Sequence, residues 1–100
     1  MIRHVLFFTL RPGVCSDDIE RVRLCFLALP KKIRGISMVE WGVNDSPENK
    51  NAEFTHCVMM TFIDEGGRQD YLYHVEHEAL KALFVPVLER IIVVDYKVSP

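Results

Sequence analysis

"IRHVLFFTL", residues 2–10, decides the fold. Side chains alternate across a strand, so Ile2, His4, Leu6, Phe8 and Leu10 share one side, and Arg3, Val5, Phe7 and Thr9 the other. Both sides are substantially apolar. A sheet in a small domain usually leaves one side in water, so this strand predicts a sheet that must be covered twice.

The stretches around it supply the first cover. "RPG" turns the chain, Ser16 or Asp17 can cap a helix, and Asp17 with Glu20 has capping-box spacing. Ile19, Val22, Phe26 and Leu29 recur at helical intervals, and Pro30 is expected to close that helix. A second strand is expected over Ile36 to Val43, then a polar loop, "NDSPENKN", and a third strand over Phe54 to Phe62. A second helical region is predicted from about Arg68 to Arg90, interrupted near His74–Glu76 and near Pro86, which lacks a backbone donor. "IIVVDYKV" reads as a fourth strand with the β-branched density of a well-packed sheet position.

The order is therefore βαββαβ within one domain, residues 1–100, an α+β chain with no repeat or linker. That order predicts a ferredoxin-like fold, a four-stranded antiparallel sheet with both helices on one face. The other face would carry Val5, Phe7, Cys57 and Met59, an apolar patch that a second copy is expected to cover sheet to sheet. A homodimer follows from this reading. The alternative is a sheet half-covered by long loops.

Composition narrows the remaining classes. A formal net charge of −2, with 26% charged and 49% hydrophobic residues, gives no electrostatic footprint for nucleic acid. No apolar run approaches the ~20 residues that span a bilayer. The amino terminus reads as a strand with no cleavage site, so no membrane and a cytoplasmic location are expected. Cys15, Cys25 and Cys57 are odd in number and lack C-x-x-C spacing, so free thiols are expected.

"IRHVLFFTLRPG", "VEWGVNDSPE", "FTHCVMMTF", "QDYLYHVEH" and "VVDY" together resemble the stress-responsive dimeric A/B barrel (Dabb) family, over nearly the whole chain and in family order. The resemblance implies a ferredoxin-like protomer whose sheet faces its partner's, making a dimeric α/β barrel. Most members have no established activity. One plant member is a polyketide cyclase that closes a ring by aldol condensation without a cofactor, and its tyrosine and histidine pair falls on Tyr71 and His77. A further active-site histidine falls on His4, and His56 and His74 also have counterparts. The family usually has a proline where this chain has Val75, and the first helix reads shorter here.

Taken together, Tyr71, His77 and His4 are the candidate catalytic residues. Imidazole exchanges protons near neutral pH, and a phenol is a good donor to a developing enolate oxygen. In an aldol step His77 would help Tyr71 abstract a proton beside a carbonyl while His4 held the carbonyl oxygen. Leu6, Phe8, Val58 and Met60 are the expected lining of a pocket for a small hydrophobic or carbonyl ligand, with no cofactor. Each residue also has a plainer reading. His4 and His56 suit satisfied core histidines, His74 suits a cap at the helical break, and Tyr73 suits the surface or an interface. "HVEH" places two imidazoles at i, i+3, but it is not H-E-x-x-H and no third ligand is placed, so no metal is expected. The alternative to catalysis is a dimer that binds a hydrophobic metabolite or serves stress tolerance, its histidines structural.

Overall fold

The computed structural model describes residues 1–100. Its elements run β1 (Ile2–Leu10), α1 (Ser16–Lys32), β2 (Ile36–Val43), β3 (His56–Phe62), α2 (Glu65–Leu72), α3 (Val75–Phe84), a 3-10 turn (Val85–Val87) and β4 (Leu88–Lys97). The four strands form one antiparallel sheet in the order β2-β3-β1-β4, the ferredoxin-like α+β plan. No helix is long and apolar enough to cross a membrane.

The even side of β1 is the core side. Ile2, Leu6 and Phe8 are buried with Val58, Met60 and Phe62 of β3, because register pairs Leu6 with Val58 and His4 with Met60. The α1 helix lays Val22, Phe26 and Leu29 over them at i, i+4 and i+7. Phe84 of α3 meets Phe8 edge-on at 4.9 Å and Phe26 at 5.1 Å, so an aromatic knot joins sheet to both helices.

Several local expectations are corrected. Cys15, not Ser16 or Asp17, occupies the cap of α1, and it makes no side-chain cap bond; Asp17 and Asp18 act in the first turn through their charge. Pro30 lies inside α1, in its last turn, and the helix runs on to Lys32 although the proline offers no amide hydrogen to the Phe26 carbonyl. Phe54 lies before β3, and α2 begins three residues ahead of Arg68 because Asp64 caps it, accepting from the Gly67 amide at 2.8 Å. The break at His74 is real: its Nδ1 accepts from the Glu76 amide at 3.0 Å and starts α3. Val75 takes the first helical position, where a proline would also be accommodated.

The strand β4 departs most from expectation. It is an edge strand that pairs only with β1, and α2 reaches it through the ion pairs Arg68–Asp95 and Glu65–Lys97. Ile91, Ile92, Val93 and Val94 are each 39–52% exposed in the protomer, so its apolar density is not absorbed by the protomer's own packing. On the open side of the sheet, Ile92 and Val94 continue the patch begun by Phe7 and Val5 through direct register. Cys57 and Met59 extend it on β3, both partly exposed.

Candidate active site

Three elements bring the site together at one end of the sheet's helix side. His4 is on β1, Tyr71 on the last turn of α2, and His77 on the first turn of α3. The rings of His4 and Tyr71 stand edge to face with centroids 5.7 Å apart, and Phe62 packs against both, at 5.5 and 5.3 Å. The Tyr71 and His77 rings stack at 4.1 Å with 29° between planes. Residues far apart in the chain thus form one cluster.

A carboxylate joins it. Register sets Asp95 of β4 directly opposite His4, and the Nδ1–H of His4 donates to Asp95 Oδ1 at 2.7 Å. That bond leaves Nε2 of His4 as the unprotonated nitrogen when the ring is neutral. Arg68 Nη1 donates to Asp95 Oδ2 at 3.2 Å, so each carboxylate oxygen has a cationic or imidazole partner. Asp95 and Arg68 were not singled out in the sequence, although a lone acid inside "IIVVDYKV" is a signal: a charge in so apolar a strand requires a partner.

Electrostatics set Tyr71 and His77 apart. Tyr71 is 2% exposed, and burial, assisted by the Asp95 charge, pushes its phenol well above the ordinary value. A phenol held in its protonated form by burial is suited to donate a hydrogen bond. No side-chain hydrogen bond of the protomer ends on its hydroxyl. Burial lowers the pKa of His77, whose Nδ1–H donates to the Leu72 carbonyl at 3.4 Å, leaving Nε2 free as a neutral base.

Other expected residues lie elsewhere. His56 stacks on Phe8 at 5.4 Å and bonds Thr55 Oγ1 at 2.7 Å, and burial lowers its pKa, so it acts as a packing residue. Tyr73 is 79% exposed. Leu6, Phe8, Val58 and Met60 are 5%, 0%, 0% and 0% exposed, closed into the core beneath Phe26 and Phe84. An apolar cavity of about 370 Å³ opens instead on the other side of the sheet, between Phe7, Val43, Phe54 and Ile92. It holds none of the acid/base cluster.

Known proteins agree with this architecture. The chain is 28% identical over 96 residues to the stress-response A/B barrel domain-containing protein HS1 of Arabidopsis thaliana, covering 96% of this chain and 88% of that protein. It is 23% identical over 95 residues to olivetolic acid cyclase of Cannabis sativa, covering 95% and 94%. A dimeric ferredoxin-like protein of unknown function from Jannaschia superposes with a TM-score of 0.86 at 21% identity, covering 97% of this chain and 98% of that one. The family model for the stress responsive A/B barrel domain matches residues 2–98, and the chain belongs to that family.

Proposed function

We propose that this protein is a cytoplasmic homodimer performing cofactor-independent acid/base chemistry, an aldol-type cyclisation or an isomerisation, on a small carbonyl compound. One observation carries the reading. A buried phenol with an uncommitted hydroxyl stands between two imidazoles, one free to accept a proton and one oriented by a carboxylate. His77 takes the proton beside the carbonyl, Tyr71 donates to the enolate oxygen, and the enolate carbon then attacks a second carbonyl or is reprotonated. His4, steadied by Asp95, presents an unprotonated Nε2 that accepts a hydrogen bond from a substrate hydroxyl, and His77 returns the proton it took to the new alkoxide or to the enolate carbon. Help of this kind is worth roughly 10²–10⁴ in rate. Likeness to olivetolic acid cyclase supports the reaction class.

In this proposal the apolar part of the substrate lies along Leu6, Phe8, Val58 and Met60, which requires Phe26 of α1 and Phe84 of α3 to move off them on binding. Their full burial favours a second reading, a non-catalytic dimer that binds a hydrophobic metabolite or contributes to stress tolerance. Dimerisation through Val5, Phe7, Cys57 and Met59 is common to both and is supported by the dimeric state of the superposed protein.

A screen of small ketones, 3-oxo acids and linear polyketide analogues on wild type, Tyr71→Phe and His77→Ala decides between them. Turnover by wild type that falls at least tenfold in both variants supports catalysis. Ligand binding without turnover, equal in all three proteins, supports the second reading.

A further inference from the structure

We infer that Arg68 is a positioning residue: its salt bridge to Asp95 locks the carboxylate that fixes the His4 ring, and so ties the phenol-bearing helix to the histidine on the sheet. The inference rests on the acid/base reading of the cluster, and it adds Arg68, a residue that reading does not use.

The geometry is a chain of three links. Asp95 has both oxygens engaged, Oδ1 by His4 at 2.7 Å and Oδ2 by Arg68 at 3.2 Å. A carboxylate held at one oxygen can still rotate about its side-chain bonds; held at both, it cannot swing to solvent without breaking a charge-assisted bond. The side chains of Asp95 and Arg68 are 27% and 33% exposed, and that of His4 is 10% exposed, so the links run inward from a half-screened ion pair to a buried imidazole.

Arg68 and Tyr71 are three residues apart on α2 and so share a face. The same helix therefore supplies the phenol and, one turn earlier, the guanidinium that secures its histidine neighbour. The helix needs such a strap, because it has only eight residues. Its other link to β4 is Glu65 with Lys97, an ion pair 64% and 74% exposed, and exposed pairs hold little. Asp95 of β4 bonds the His4 ring and Tyr71 of α2 and Phe62 of β3 pack against it, while Arg68 of α2 reaches it through Asp95 and His77 of α3 stands behind Tyr71. Of these, only the carboxylate bonds Nδ1, so what moves the carboxylate changes the tautomer.

The tautomer is the measurable quantity, and it needs no substrate. Long-range proton–nitrogen spectra of the ¹⁵N-labelled protein are recorded at about pH 8, above the ordinary imidazole range. His4 is assigned by its loss in His4→Gln. In wild type its Nδ1 is protonated and its Nε2 is not. Arg68→Leu and Arg68→Gln shift His4 toward a mixture of tautomers, as Asp95→Ala does more completely. Arg68→Lys restores most of the wild-type pattern, since an ammonium replaces the charge without the fork. If Arg68→Leu is poorly folded, Arg68→Gln, which keeps length and polarity, gives the answer. A wild-type tautomer in a folded Arg68→Leu or Arg68→Gln overturns the inference, and so does one in Asp95→Ala.

On any carbonyl substrate that wild type converts, Arg68→Leu lowers kcat roughly ten- to a hundredfold with KM little changed, and Arg68→Lys recovers part of it. The two ideas fail separately. Absence of turnover by wild type removes the reaction and leaves the tautomer result standing. An unchanged tautomer with turnover intact removes the strap and leaves the reaction.

Discussion

The ring of Tyr71 lies against that of His77 with centroids 4.1 Å apart, a stacking contact and not a bond from hydroxyl to nitrogen. The Tyr71 ring and hydroxyl therefore have separable jobs. Tyr71→Phe keeps the packing and discards only a hydroxyl that bonds nothing in the protomer, so its unfolding free energy in urea should stay within about 0.5 kcal/mol of wild type. Tyr71→Ala opens a hole beside Phe62 and His77 and should cost about 3–5 kcal/mol. If both variants retain wild-type turnover of a carbonyl substrate, the hydroxyl is not the donor.

Burial lowers the pKa of both His56 and His77. In the unfolded chain these imidazoles take up protons near 6.5, whereas in the folded protein they do so only at lower pH. Between those values the unfolded state holds the extra protons, so stability falls as pH drops below about 6.5 and levels once the folded rings also charge. The urea midpoint should decline from pH 7.5 to 5.5, about the lower limit at which Glu65 and Glu78, held down by Lys97 and Lys81, stay out of the titration. The decline should be shallower in His77→Gln. Equal slopes would remove His77 from this account.

Gly35 and Gly67 meet backbone to backbone where β2 starts and α2 begins. A β-carbon on Gly67 would stand 2.9 Å from the Gly35 carbonyl oxygen, and one on Gly35 would stand 2.7 Å from the Gly67 Cα. Gly35 also holds φ +97°, which side chains disfavour. Gly67→Ala should cost about 1–3 kcal/mol and Gly35→Ala more, by thermal denaturation. Either one displaces α2, and Tyr71 and Arg68 with it. A Gly35→Ala protein as stable as wild type would contradict the close approach.

Phe7 is 37% exposed on the open sheet side, between Cys57 and Ile92 in register. Phe7→Lys or Met59→Glu places a charge where a second copy is proposed to pack. Sedimentation should show wild type as a dimer and these variants as monomers, with the helix-side core intact by circular dichroism. A wild type that sediments as a monomer at all concentrations would contradict the proposed interface.

The three thiols should differ in reactivity. Cys15 is exposed, while burial pushes the thiols of Cys25 and Cys57 up. Alkylation with iodoacetamide near pH 8, followed by mass spectrometry, should modify Cys15 faster than the other two by roughly tenfold or more. Cys57 should become more reactive in Phe7→Lys if a partner shields it. Uniform labelling would show that burial does not control these groups.

Much of this protein could be read from residue order alone. The alternation in β1, the helical spacing of Val22, Phe26 and Leu29, and the extent of β2 all come from local periodicity, which the chain carries in every short window. His74 could be placed at a helical break for the same reason. Strand ends were less legible: Leu88–Arg90 joins β4 through pairing with β1, a contact across most of the chain. What only the tertiary structure decided is the site. Asp95 stands opposite His4, 91 positions away, because β4 pairs with β1 in one register, and a slip of one residue would turn the carboxylate to the other side of the sheet. The closing of Leu6, Phe8, Val58 and Met60 beneath Phe26 and Phe84 was likewise settled by how three-dimensional volumes fill, which no pattern of alternating residues encodes.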